Sequence, residues 1–160
     1  MFAREKLDYS ATDLPDRVKL SEQESLSAVQ AHLAYMQKRH SVRDFCDAPV
    51  SQEVIDAAIM AAGSAPSGAN HQPWYFVAIS NAQVKHQIRL ASEKEEKKFY
   101  SGGGNDEWIK ALEPIGTDAH KPHLDIAPWL IVIFAQRWGE FDDGTRYKNY
   151  YVPESVGIAT

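Results

Sequence analysis

The sequence predicts an α+β domain in which helices flank a small sheet. Two runs carry the strand half of that reading: Trp74 to Ile79 and Trp129 to Phe134 are continuously apolar, aromatic or β-branched and contain no charge. Apolar residues at three- and four-residue spacing between Glu22 and Lys38, and a second such stretch after Ser51, carry the helical half.

Taken in order, residues 1–20 are polar, contain Pro15 and read as an arm lying across a surface, with the domain itself occupying 21–160. Leu26, Val29, Leu33 and Met36 then form one apolar stripe on a helix that is expected to close at Lys38, Arg39 and His40. Ser51 is suited to cap a second helix, with Glu53 in the first turn where a carboxylate complements the helix dipole. Val54, Ile55, Ala58, Ile59 and Ala62 would bury one face of it, and Gly63 would end it. Ser64 to Gln72 is rich in Ser, Gly, Pro and Asn and must be a loop; small residues there let backbone approach a ligand.

The first strand follows Pro73 and is expected to be buried on both faces. Asn81 caps a third helix that carries Val84, Ile88 and Phe99 and closes in a mixed-charge face, Glu93 to Lys98, before the hinge Ser101 to Gly104. Trp108, Ile109 and Leu112 suggest a short helix within a lid. After the second strand, Gly139 to Gly144 reads as a turn, and Pro153 opens a last helix with Val156 and Ile158. Two strands are fewer than a stable sheet usually holds, so part of the sheet is expected to be missing at the C-terminal side.

The 160 residues, 44% hydrophobic and 24% charged, suit one globular domain. A net charge of -5 argues against partners that demand a basic face, namely nucleic acid and anionic membranes, and favours a small molecule. The N-terminus lacks the layout of a secretion signal and no run of apolar residues is long enough to cross a bilayer, so a cytoplasmic location is expected. The single cysteine, Cys46, excludes an internal disulfide and reads as a small buried hydrophobe.

Three constellations can carry chemistry. Arg39, His40, Ser41, Val42 and Arg43 place two guanidinium forks around a hydroxyl, a set that can grip a phosphate, although cations near a helix C-terminus are also favoured for the helix's sake. The loop Ala65-Pro66-Ser67-Gly68-Ala69-Asn70 joins helix to strand, where ligands often settle, and is equally an ordinary connector. Glu96 and Tyr100 lie one helical turn apart; with Lys121 they can hold a zwitterionic amino acid, the carboxylate taking its ammonium and the phenol and lysine taking its carboxylate. Alone, such a run is also a self-paired exposed surface. His120 and His123, interrupted by Pro122, make a poor metal pair, so no metal is expected.

The order Lys38 to Phe45, then Ala65-Pro66-Ser67-Gly68-Ala69-Asn70-His71-Gln72-Pro73-Trp74, then Asp125-Ile126-Ala127-Pro128 resembles the FMN-dependent nitroreductase family, and within it the iodotyrosine deiodinases. The resemblance runs from about Asp16 to Thr160 and implies a nitroreductase-type α/β sandwich working as a homodimer with each flavin at the subunit interface. It implies FMN as cofactor, with Arg39, His40, Ser41, Val42 and Arg43 along its phosphate and ring edge and Ser67 beside it. It further implies a halotyrosine substrate stacked on the flavin, its phenolate met by the backbone N–H of Ala69 and its amino-acid end closed over by Glu96, Tyr100 and Lys121. The activity so implied is reductive dehalogenation. A general NAD(P)H-dependent nitroreductase and a catalytically silent fragment are the alternatives, because the residue expected at the flavin N5 and a late phosphate-binding arginine would fall beyond Thr160.

Overall fold

A computed structural model of the protein describes Ser10, Asp13 and residues 17–160. Most of the polar arm expected over 1–20 therefore lies outside the described residues. The chain divides into two compact units, Met1–Ser41 and Val42–Thr160.

In the first unit, helix α1 spans Glu22–Met36. A reciprocal capping box starts it: the Glu24 amide donates to Ser21 Oγ at 3.3 Å and the Ser21 amide donates to Glu24 Oε2 at 2.8 Å. The Ser21 hydroxyl, and after it the Ser21 amide, hold the Glu24 carboxyl below its usual pKa. The helix stops at Met36, short of Lys38, as the Lys38 and Arg39 amides turn back to the carbonyls of Tyr35 and Met36. The expected apolar stripe is present, yet Leu26, Val29, Leu33 and Met36 are all exposed.

The second unit begins with extended, exposed residues and enters α2 (Gln52–Gly63). Ser51 occupies the cap position, but its side chain makes no cap hydrogen bond. Only Ile55, Ile59 and Ala62 of the expected face are half-buried, against strand β1 and the last helix; Val54 and Ala58 are exposed, because too few elements cover that side. Gly63 is the final helical residue, and the Ser64 hydroxyl donates to the Ala61 carbonyl at 2.7 Å.

Strand β1 (Trp74–Ile79) pairs antiparallel with β2 (Leu130–Ala135), in a register that runs from Trp74 opposite Ala135 to Ile79 opposite Leu130. The second strand thus starts one residue later than its composition suggests. Trp129 instead donates its indole N–H to the Val50 carbonyl at 2.9 Å. Neither strand is covered on both faces: Tyr75, Ala78, Ile131 and Phe134 are exposed, since among the described residues no third strand or second helical layer lies over them.

Between the two strands run α3 (Ala82–Lys98), a π-helical turn over Phe99–Gly103, α4 (Asp106–Leu112) and the short α5 (His123–Ile126). Asn81 caps α3 by accepting from the amides of Gln83 and Val84 at 2.9 and 3.1 Å, and Asn105 caps α4 in the same manner. The polar segment read as a turn is in fact a hairpin, β3 (Trp138–Glu140) against β4 (Arg146–Lys148), with Gly144 at φ 82 in its loop. Finally α6 (Val152–Ala159) packs on α2 and β2, and its Val152, Ser155 and Ala159 are buried.

Candidate functional site

The third helix positions most of the site. Its last turn carries Glu96, and the π-helical turn that continues it carries Tyr100. An inserted residue of this kind often marks a functional segment. The walls of a cavity of about 700 Å³ bring Glu96 and Tyr100 together with Lys121 and Arg43. Its apolar side is made by Phe99, Trp108 and Leu112. The Phe99 ring meets Trp108 and Tyr100 edge to face, each at 5.3 Å between centroids.

Two of the charged side chains, Glu96 and Lys121, are already paired with one another. Lys121 Nζ lies 3.2 Å from Glu96 Oε2 and donates to the Asp118 carbonyl at 2.7 Å; it is only 16% exposed. The Tyr100 hydroxyl lies 3.1 Å from both the Thr117 carbonyl and its hydroxyl. A zwitterionic guest can therefore insert between carboxylate and ammonium, exchanging one ion pair for two, with Tyr100 free to turn from Thr117. Burial and then the charges of Lys121 and Arg43 lower the pKa of His123, opposed by Asp44.

The mixed-charge end of α3 is exposed at Lys94, Glu95, Lys97 and Lys98, as its composition suggests, but not at Glu93. Glu93 is buried; its Oε1 accepts from Arg89 Nε at 2.8 Å and from the Lys121 amide at 2.9 Å. Arg89 also reaches Asp125 Oδ2 at 2.8 Å, where His86 lies at 3.2 Å. The i, i+4 spacing of Arg89 and Glu93 was the available signal. Thr117 is a second site residue that composition did not single out.

Elsewhere in the same unit the loop Ser67 to Gln72 is strongly shaped. Ala69, Asn70 and Gln72 all adopt left-handed backbone, at φ 51, 54 and 47. The Ser67 hydroxyl accepts from the Gln72 amide at 2.8 Å, and the Gly68 amide donates to the buried Ser155 hydroxyl at 3.4 Å. A Cβ on Gly68 would stand 2.9 Å from the Tyr150 carbonyl oxygen and from the Tyr151 ring. Ser67 and Ala69 are not among the residues that line the cavity. Arg39, His40 and Ser41 close the first unit on exposed, non-helical backbone, and Val42, also exposed, opens the second.

Comparison with known proteins places these features in context. The sequence profile of the nitroreductase family matches residues 36–159. The iodotyrosine deiodinase of Haliscomenobacter hydrossis is 49% identical over 137 residues, which cover 86% of this chain and 62% of that protein. Human iodotyrosine deiodinase 1 is 40% identical over 138 residues, covering 86% and 48%. The chain thus spans about half to three-fifths of the length of the curated relatives it matches. Among solved structures, oxidized iodotyrosine deiodinase bound to FMN and 3-iodo-L-tyrosine aligns with a TM-score of 0.69 at 30% identity, covering 79% of this chain and 63% of that one. An FMN-dependent nitroreductase from Clostridium difficile shares the fold, with a TM-score of 0.52 at 20% identity over 79% of this chain and 50% of that one.

Proposed function

The chain belongs to the nitroreductase family, and from that premise we propose that it acts as an FMN-dependent oxidoreductase that removes halide reductively from halogenated tyrosine. The observation that carries the reading is the cavity in which Glu96, Tyr100, Lys121 and Arg43 face one another over Phe99 and Trp108. That set matches an aromatic amino acid at both ends: opposite charges for its ammonium and carboxylate, and apolar rings for its side chain. The similarity to iodotyrosine deiodinases, one of them solved with FMN and 3-iodo-L-tyrosine, supports the same substrate class.

The donor set of residues 39–43 fits a phosphate monoester. In sequence the segment carries two arginines and the Ser41 hydroxyl with no carboxylate among them, on exposed backbone that belongs to no helix or strand. In this reading Arg39, His40, Ser41, Val42 and Arg43 are the residues for the FMN phosphate and ring edge, and Ser67 is a further residue for the cofactor. Once bound and reduced by an external electron donor, FMN would supply the two electrons that, with a proton, replace the carbon–halogen bond by carbon–hydrogen and release halide. The chain's own residues orient the guest: Glu96 takes its ammonium, Lys121 and Tyr100 take its carboxylate, and the Ala69 amide, turned by a left-handed backbone, meets the phenolate oxygen. A homodimer, with the uncovered sheet residues Tyr75 and Phe134 against other protein, and a cytoplasmic location complete the proposal.

Replacing Glu96 by Gln removes one charge-assisted contact and is expected to weaken 3-iodotyrosine binding about 10- to 100-fold, while reduction of a nitroarene with NAD(P)H changes little. Titration of flavin fluorescence and steady-state kinetics on the two substrates read this directly. Equal losses on both would point to a general NAD(P)H-dependent nitroreductase instead.

A further inference from the structure

We infer that Glu93 is a positioning residue for the amino-acid grip, acting through the Lys121 backbone; the inference deepens the function proposed above and rests on it. One helix holds Lys121 at two points. Glu96 meets its ammonium at 3.2 Å, and Glu93, one turn earlier, accepts its backbone N–H at 2.9 Å. Without the second contact, the segment Thr117 to Lys121 is tied to the third helix and its π-helical turn by long, rotatable side chains alone, Tyr100 and Lys121. With it, the lysine's main chain is fixed where its ammonium reaches the cavity.

Glu93 is itself held by a line of contacts that also ties α3 to α5. Its Oε1 takes the Arg89 guanidinium at 2.8 Å, and Arg89 continues to Asp125 Oδ2 at 2.8 Å. Asp125 sits in α5, whose end is pinned by the buried Lys85: Nζ donates to the Asp125 and Ala127 carbonyls at 3.1 and 2.6 Å. A cation at a helix C-terminus is electrostatically favoured there, which repays part of the cost of burying the lysine. The anchoring therefore runs from Lys85 through α5, Asp125 and Arg89 to Glu93, and ends on the amide of a residue that lines the cavity. His120, mostly exposed, stands 3.9 Å from the same Glu93 oxygen and adds little by comparison.

The role separates from plain structural support by two readouts on FMN-loaded protein: hydrogen exchange at the Lys121 amide, and the dissociation constants of 3-iodotyrosine and of FMN. In Glu93→Ala the Lys121 amide is expected to exchange about tenfold faster or more, and the 3-iodotyrosine constant to rise about tenfold or more relative to any change in the FMN constant. Glu93→Gln keeps a carbonyl acceptor and should restore most of both. Unchanged Lys121 exchange in folded Glu93→Ala, or parallel losses of FMN and 3-iodotyrosine, would overturn the inference. If Glu93→Ala fails to fold, Arg89→Met, which leaves Glu93 in place without its orienting partner, is read in the same way and must move both quantities. A wild-type protein that takes up FMN and ignores 3-iodotyrosine would sink the substrate reading, and the exchange comparison would still decide whether Glu93 holds Lys121.

Discussion

In the proposed function the ion pair between Glu96 and Lys121 would select for a zwitterion, because a guest carrying only one charge leaves the other partner uncompensated. Tyr100→Phe removes the phenol and is expected to raise the 3-iodotyrosine dissociation constant about 3- to 10-fold, read by flavin fluorescence. Stability should fall with acid in two stages. Glu93 is held below the usual 4.5, first by the Lys121 amide and then by Arg89 against the opposing effect of burial; Asp125 is held below 3.8, chiefly by Arg89. Depressed carboxyls stabilise fully above their unfolded values and lose that contribution as the pH drops through the folded ones, so this stage lies below about pH 4.5. His123, depressed from 6.5, favours proton binding in the unfolded chain and brings an earlier decline below that pH. Thermal unfolding against pH should lose the earlier stage in His123→Gln and shrink the later one in Glu93→Gln. Glu96, Tyr100 and Lys121 were legible in the sequence, two by helical spacing and all three by resemblance. Glu93 was not: it is one charged residue in a run with its exposed neighbours Lys94 and Glu95, and packing against α5 and the Lys121 loop buries it.

At the scale of elements, local chemistry decides where helices start and tertiary contacts decide where strands lie. Asn81 announced α3 correctly, and Asn81→Ala should cost about 1 kcal/mol in thermal or denaturant unfolding. Ser51 looked equally suitable, yet its hydroxyl makes no cap bond, which composition does not reveal. The hairpin of β3 and β4 escaped the sequence because its strands are three residues each, too short for an alternating pattern to register. The Ser67 to Gln72 loop was recognised from its small residues, but its three left-handed non-glycine residues and the close approach of Tyr150, Tyr151 and Ser155 to Gly68, seventy or more positions on, were not. Gly68→Ala pushes a methyl against the Tyr150 carbonyl and is expected to destabilise the protein by about 1–3 kcal/mol, measured by urea unfolding.

On the scale of the whole molecule, the two-stranded sheet and the thin core belong together. Among the described residues the buried hydrophobic side chains are Ala127, Val152 and Ala159, and Pro73 is the large one fully enclosed, while Tyr75, Ile131 and Phe134 of the sheet remain exposed. The sequence conveyed the short main sheet through its two apolar runs, and with the helical spacing the α+β class. It overstated burial, because continuous hydrophobicity records what a strand can pack against and not what this chain supplies. Apolar surface of this extent favours self-association, so sedimentation is expected to give twice the chain mass, and Phe134→Glu to shift it toward one. The central claim, a flavin enzyme that grips a halogenated amino acid through Glu96, Tyr100 and Lys121, is tested most directly by titrating the FMN-loaded wild-type protein with 3-iodotyrosine and following flavin fluorescence. Saturable quenching, lost with the Glu96→Gln substitution, is the predicted result; protein that retains no FMN, or whose bound flavin ignores the ligand, would contradict it.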